Sequence, residues 1–355
     1  MDLSFYKGKK VLVTGHTGFK GSWLSQWLLS LGAEVIGYSL IETGNNELFD
    51  TLNLRDEIIH YDKSINDLKS LLEVFNNHQP EIVFHLAAQA IVKTSYEYPI
   101  DTFQTNVIGT LNVLESIKNC SSVQVAIMVT SDKCYKNNEK QFGFIEGDAM
   151  GGDDPYSASK ACAELAIQSY VKSFFNSDIN SNVPRVVSVR AGNILGGGDW
   201  SKDRLIVDCV NSIKNDKEII LRDPHAVRPW QHVLDASYAY LLIGIYAYNN
   251  SNHEKAFNVG PSEERVITVQ ELVDKIIQMY GKGEFKKSDK KFYHEANYLK
   301  LNVELIQKTL GWSCQFDSDR LIEKTIEWYK FAEKNTNEKI KEFTLNQIKE
   351  YFLAI

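Results

Sequence analysis

The chain has 355 residues, 43% of them hydrophobic and 24% charged, with a formal net charge of -7. That length supports one large α/β domain plus a smaller lobe, and the acidic balance gives no basic field for nucleic acid, so a small-molecule partner is expected. No apolar stretch approaches membrane-spanning length, the start Met1-Asp2-Leu3-Ser4-Phe5-Tyr6-Lys7 has no signal-peptide core, and five scattered cysteines without a CxxC pair fit reduced thiols in the cytosol.

Val11-Leu12-Val13 reads as a short strand running into Thr14-Gly15-His16-Thr17-Gly18-Phe19-Lys20-Gly21, and Ser22 to Leu29 then carries apolar residues at helical spacing. In that order, strand, glycine turn and helix form a dinucleotide-binding unit. Glycines permit positive φ and let backbone N–H groups approach a pyrophosphate on the helix N-terminus. A second strand is predicted over Glu34-Val35-Ile36-Gly37-Tyr38. A carboxylate is expected at its end to hold the adenosine ribose, but Ser39 and Leu40 stand there and the first acid is Glu42. No arginine in this stretch meets a 2′-phosphate either, so the residues lean to NAD without excluding NADP.

Continuous apolar runs over Glu81-Ile82-Val83-Phe84-His85-Leu86 and Val123-Gln124-Val125-Ala126-Ile127-Met128-Val129 predict strands buried on both faces. Strands alternating with helices argue for an α/β fold, a doubly wound parallel sheet of Rossmann type. Ligands in such sheets sit at the carboxyl ends of the strands, which places Ala87-Ala88-Gln89 and Thr130-Ser131-Asp132-Lys133 beside a cofactor.

Tyr156 and Lys160 lie four apart on a predicted helix and share a face. An ammonium beside a phenol is expected to lower the tyrosine pKa and make it a general base. Past Pro184 the alternation becomes irregular, although Arg185 to Arg190 is still strand-like. The expected division is a dinucleotide-binding domain over residues 1–184 and, over 185–355, mainly a substrate-binding lobe of mixed α/β structure with some segments returning to the first domain. Arg204 and Arg228 are guanidinium forks that match diphosphate oxygens. The helical, charged tail from Leu321 to Phe352 is expected to cover the outside. His85 and His232 read as satisfied core histidines, and no HExxH or clustered Cys/His pattern suggests a metal. Helices around Phe103-Val107-Leu111-Leu114 and Tyr156-Ala163-Ile167-Tyr170 carry more apolar face than one sheet layer covers, so a homodimer or higher homo-oligomer is expected.

Taken in chain order, Gly18-Phe19-Lys20-Gly21-Ser22-Trp23, His85-Leu86-Ala87-Ala88-Gln89, Thr130-Ser131-Asp132-Lys133-Cys134-Tyr135, Asp154-Pro155-Tyr156-Ser157-Ala158-Ser159-Lys160, Arg190-Ala191-Gly192-Asn193, Gly196-Gly197-Gly198-Asp199-Trp200 and Arg228-Pro229-Trp230-Gln231-His232-Val233 resemble one family. It is the extended short-chain dehydrogenase/reductases acting on nucleotide sugars, and within it the dehydratases of CDP-glucose. The likeness spans nearly the whole chain, and its most specific parts are the Ser-Asp-Lys-Cys-Tyr segment and the Gly-Gly-Gly-Asp-Trp loop, since dehydratases of dTDP-glucose carry Asp-Glu where this chain has Asp132-Lys133. The resemblance implies a lyase of deoxysugar biosynthesis with CDP-glucose as substrate. NAD would be held by Gly15, Thr17, Gly18, Phe19, Lys20, Gly21, Ser39, Ser64, Ile65, Ala87, Ala88 and Gln89 together with Tyr156 and Lys160. Ser39 and Ser64 stand where the wider family places acids.

The implied chemistry assigns Tyr156 and Lys160 to oxidation at C4, Ser131 to the C4 oxyanion, Lys133 to the C5 proton and Asp132 to the departing 6-hydroxyl. Lys133 is either that base or a cation paired with Asp132, because an ammonium is a poor base unless its pKa falls by several units. The same likeness implies a substrate site of Lys93, Ser95, Asn193, Arg204, Leu205 and Arg228. A nucleotide-sugar epimerase or reductase remains open, as does a non-catalytic binding module.

Overall fold

A computed structural model describes residues 1–40, 48–137, 142–176, 183–262, 267–288 and 299–354. Its centre is a seven-stranded sheet built from β1 (Lys10–Thr14), β2 (Glu34–Ser39), β3 (Ile59–Asp62), β4 (Ile82–His85), β5 (Val125–Val129), β6 (Arg185–Ala191) and β7 (Ala256–Val259). The strand order is β7-β6-β5-β4-β1-β2-β3, and every pairing is parallel. This is the doubly wound arrangement expected from the sequence. Its order reverses between β1 and β4, and the crevice there is where such sheets bind ligands.

Alternation along the strands explains why their apolar runs are continuous. Val11 and Val13 face one side with Phe84, Ile127 and Val187, while Leu12 faces the other with Val83, Ala126 and Val186. Each face is then covered by helices. On the first side lie α1 (Phe19–Ser30), through Trp23, Leu24 and Trp27, and the apolar helix Val233–Asn249. On the second lie α2 (Leu68–His78), α3 (Gly109–Lys118) and α4 (Pro155–Ser173), through Phe75, Leu114 and Ile167. Burial of this kind stabilises by about 25 cal/mol per Å² of apolar surface, so it outweighs the indifferent helix propensity of α1.

Two of the seven strands, β6 and β7, come from beyond residue 184. Between and after them, two-stranded pairings join residues 194–195 with 231–232, 227–228 with 267–268, and 219–221 with 285–287. The tail folds as α5 (Ser318–Ala332) and α6 (Asn337–Ala354). It does more than cover the outside: Trp328 is fully buried against Gly197 and donates from Nε1 to Thr344, and the Tyr329 hydroxyl donates to the Asp199 carbonyl at 2.6 Å.

Candidate active site

The glycine loop is shaped by what its backbone must avoid. Gly15 has φ +75°, and a Cβ there would press into the Ala87 backbone, while a Cβ on Gly21 would collide with the Gly15 carbonyl. Gly18 is the N-cap of α1 and makes no side-chain cap bond. The first N–H groups of α1 therefore remain available to an anion, which fits the pyrophosphate of a dinucleotide. Thr17 and Ser39 hydrogen-bond each other at 2.9 Å, and Thr17 also donates to the Leu40 carbonyl at 2.8 Å. Ser64 accepts from the Asn66 amide, and Ile65 is buried against Gly109. Glu42 lies outside the described residues.

At the end of β4, His85 bridges Thr14 and Thr110 through its two ring nitrogens, at 2.7 and 3.0 Å. It is a satisfied core histidine. His232 is equally buried and accepts from the Leu234 amide, but its Nε2 has no partner. Burial brings both rings down to about 3, so both are neutral at physiological pH. Ala87 lies two residues beyond His85, and Gln89 spends its side chain on Thr102 and the Ile91 amide.

A cavity of about 450 Å³ opens over the carboxyl ends of β1, β4, β5 and β6. Phe19, Lys20 and Ala88 line it from the dinucleotide side, Ser131, Asp132, Lys133, Tyr156 and Lys160 from the centre, and Lys93, Asn193, Arg204, Leu205 and Arg228 from the far side. Ser95 is not among the lining residues. It is fully buried, donates to the Val92 carbonyl at 2.6 Å and accepts from the Tyr156 amide at 3.1 Å, so it fixes the start of α4 and does not face a hexose. The carboxylate of Asp154 caps that start, accepting from the Ser157 amide at 2.9 Å, and Pro155 takes the first helical turn.

The electrostatics correct one expectation. Tyr156 is not lowered by its lysine: burial pushes the phenol up to about 12, with the neighbouring Ser131 hydroxyl pulling the other way. Burial also brings Lys160 down to about 8, because the same desolvation that penalises a phenolate penalises an ammonium. Asp132 is buried and raised for that reason, against the opposing pull of Lys133. Its Oδ1 accepts from the Ser131 hydroxyl at 3.0 Å and its Oδ2 has no partner. A carboxyl held toward its neutral form with one free oxygen is suited to giving up a proton.

Several lining residues carry no signal in the sequence. Asp203 sits between Lys93 and Arg222, 3.3 Å from each, and Asp199, Asp208 and Asp223 complete an acidic rim. Only Asp199 fell within a motif, the Gly-Gly-Gly-Asp-Trp loop; Asp203 and Asp223 stand in irregular chain that no periodicity marks, and Asp208 lies on the polar side of the helix Leu205–Lys214. No group of three or more His, Cys, Asp or Glu suited to a metal occurs among the described residues.

A family model described as GDP-mannose 4,6 dehydratase matches residues 12–325. The chain belongs to that family. It is 41% identical over 333 residues to the CDP-glucose 4,6-dehydratase of Salmonella typhimurium, with 93% of each chain covered. Against the dTDP-glucose 4,6-dehydratase 1 of Escherichia coli the identity is 24%, over 90% of this chain and 92% of the other. Among solved structures, the dTDP-glucose 4,6-dehydratase of Bacillus anthracis in complex with NAD superposes with a TM-score of 0.77 at 23% identity, covering 92% of this chain and 98% of that one. The Thermus thermophilus UDP-glucose 4-epimerase complex with NAD gives 0.78 at 24%, covering 91% and 99%. These two likenesses bear on the fold alone.

Proposed function

We propose that the protein is an NAD-dependent lyase that removes water from CDP-glucose, giving CDP-4-dehydro-6-deoxyglucose for deoxysugar biosynthesis. The observation that carries this reading is a single cavity holding two sets of groups, Tyr156 with Lys160 and Asp132 with Lys133. An epimerase or reductase needs the first set only. The cytidine base is supplied by the 41% identity to the Salmonella enzyme.

The residues that would hold NAD are those of the glycine loop, with Ser39, Ser64 and the segment after β4. Bound there, NAD would supply the hydride acceptor for oxidation at C4 and the hydride donor for C6. Tyr156 takes the proton of the 4-hydroxyl, and Lys160 on the next turn supplies positive charge to the phenolate as it forms. Ser131 turns its hydroxyl from Asp132 to donate to the C4 oxygen while charge develops there. The resulting ketone acidifies the proton on C5, which Lys133 removes, and Asp132 protonates the 6-hydroxyl so that it leaves as water. A proton then returns to C5. Arg204 and Arg228 hold the diphosphate.

Incubation with CDP-glucose and NAD should yield a sugar nucleotide lighter by one water, with dTDP-glucose and UDP-glucose turned over far more slowly. A product of unchanged mass and inverted C4 would replace the dehydratase by the epimerase, and no product with any of the three would leave the binding module.

The outer side of α3 and α4 leaves Leu165 54% exposed and Ile108, just ahead of α3, 40% exposed. With the helix pattern, this supports a homodimer that buries them. Leu165→Arg should then shift the light-scattering mass from dimer to monomer. The five free cysteines suit work in the reducing cytosol.

A further inference from the structure

Ser131, Asp132 and Lys133 lie on a short turn between β5 and Tyr135, and a turn is a poor platform for groups that must meet a reacting carbon closely. Both of its ends are tied to one buried ion pair. Glu164 and Arg190, 0% and 1% exposed, meet at 2.8 Å. Just before the turn, the Thr130 hydroxyl donates to Glu164 Oε1 at 2.5 Å. Just after it, Arg190 donates to the Tyr135 hydroxyl at 2.8 Å, and that hydroxyl donates to Asn258 on β7 at 2.7 Å. Ser188 on β6 adds a bond to Glu164 Oε2 at 3.1 Å.

A buried ion pair is seldom the best way to stabilise a core, since apolar side chains of similar volume often do as well or better. What it supplies is direction. Glu164 stands four residues after Lys160 and eight after Tyr156 on α4, so one helix presents the oxidation pair above and the anchor of the elimination turn below. Resting on the dehydratase reading, we propose that Glu164 and Arg190 are positioning residues that set the elimination groups Asp132 and Lys133 in register with the oxidation groups Tyr156 and Lys160.

The proposal separates the two halves of the reaction. Thr130→Val and Tyr135→Phe each delete one hydroxyl anchor at nearly constant volume, and Glu164→Gln removes the charge. In single-turnover mixing with CDP-glucose, each variant should lose no more than about tenfold in C4 oxidation, read as NADH absorbance, because only the Ser131 bond to the C4 oxygen moves with the turn while Tyr156 and Lys160 stay on α4. Solvent deuterium entry at C5 and water loss should fall by about 10²-fold, the scale expected for misplacement by about an ångström. In the protein without substrate, hydrogen exchange at the amides of residues 131–135 should quicken while the rest of the sheet is unchanged. Equal losses of both half-reactions, or wild-type exchange in the turn, would overturn the proposal. Should Glu164→Gln fail to fold, the two hydroxyl variants decide the matter. A wild-type protein that oxidises CDP-glucose without losing water would instead indict the dehydratase reading, and the exchange measurement would still test the anchor.

Discussion

At the residue scale the site is governed by desolvation. Tyr156 at about 12 and Lys160 at about 8 show the same burial acting on opposite charges, which spacing on a helix could not reveal. Lys133→Met should still permit C4 oxidation, so NADH accumulates, while C5 exchange and water loss fall by roughly 10²- to 10⁴-fold, the range for a lost general base. Tyr156→Phe should abolish both. Wild-type C5 exchange in Lys133→Met would reduce the lysine to an electrostatic partner of Asp132. Lys20 adds a second titration. On the first turn of α1, burial and then the charges of Lys160 and Arg204 bring its ammonium down to about 7. It is cationic below that pH and neutral above, so its attraction for a diphosphate is lost as pH rises through about 7. The Kd for NAD, followed by tryptophan quenching, should rise across this interval in the wild type. Lys20→Met should bind weakly on both sides of it, with the step removed.

At the element scale the loop Gly196-Gly197-Gly198-Asp199-Trp200 depends on helices distant in sequence. Trp23 on α1 donates from Nε1 to the Gly197 carbonyl at 2.9 Å, the Trp328 ring of α5 lies against Gly197, and Gly198 adopts φ +82°. A Cβ on Gly197 would collide with that ring, and both the ring and the loop backbone are packed. Gly197→Ala should cost about 1–3 kcal/mol, as overpacking does, and raise the KM for CDP-glucose because Asp199 and the chain to Arg204 move with the loop. Gly147→Ala, where nothing lies within 4 Å, is the matched control and should leave both the denaturation midpoint and KM unchanged.

At the scale of the molecule, the sheet was legible because strands buried on both faces must be apolar throughout, and the glycine loop was legible because only glycine fits its backbone approaches. The acidic rim and the anchoring role of Glu164 were not, since neither depends on a local pattern; the pairing with Arg190 joins residues 26 apart. Ser95 shows the reverse failure, a polar side chain placed near a hexose by likeness that the fold turns inward. Burial of titratable groups also sets a response of the whole fold to acid. His16, His85 and His232 are each brought down to about 3 by burial, from 6.5. Between those values the unfolded chain binds protons that the native state refuses, so the histidines' share of stability is full above about 6.5 and falls with pH at about 1.4 kcal/mol per unit per histidine. Asp235 acts in the opposite sense, since burial raises it from 3.8 to about 6 and acidification through that window relieves its cost. Burial raises Asp132, Glu146 and Asp208 in the same sense as Asp235, and it lowers His253, to about 4, in the sense of the other histidines, whose loss begins at the higher pH. Lys20, at about 7 in the fold against 10.5 unfolded, already costs stability as pH falls from about 8 to 7, so the Tm should decline gently over that unit and more steeply from about 6.5 to 5. His232→Phe, which keeps a ring in the same cage and removes the titrating nitrogens, should flatten that decline by one histidine's share. An acid limb that begins only below about pH 5, where carboxylates rather than histidines titrate, would show that these rings are protonated in the native state.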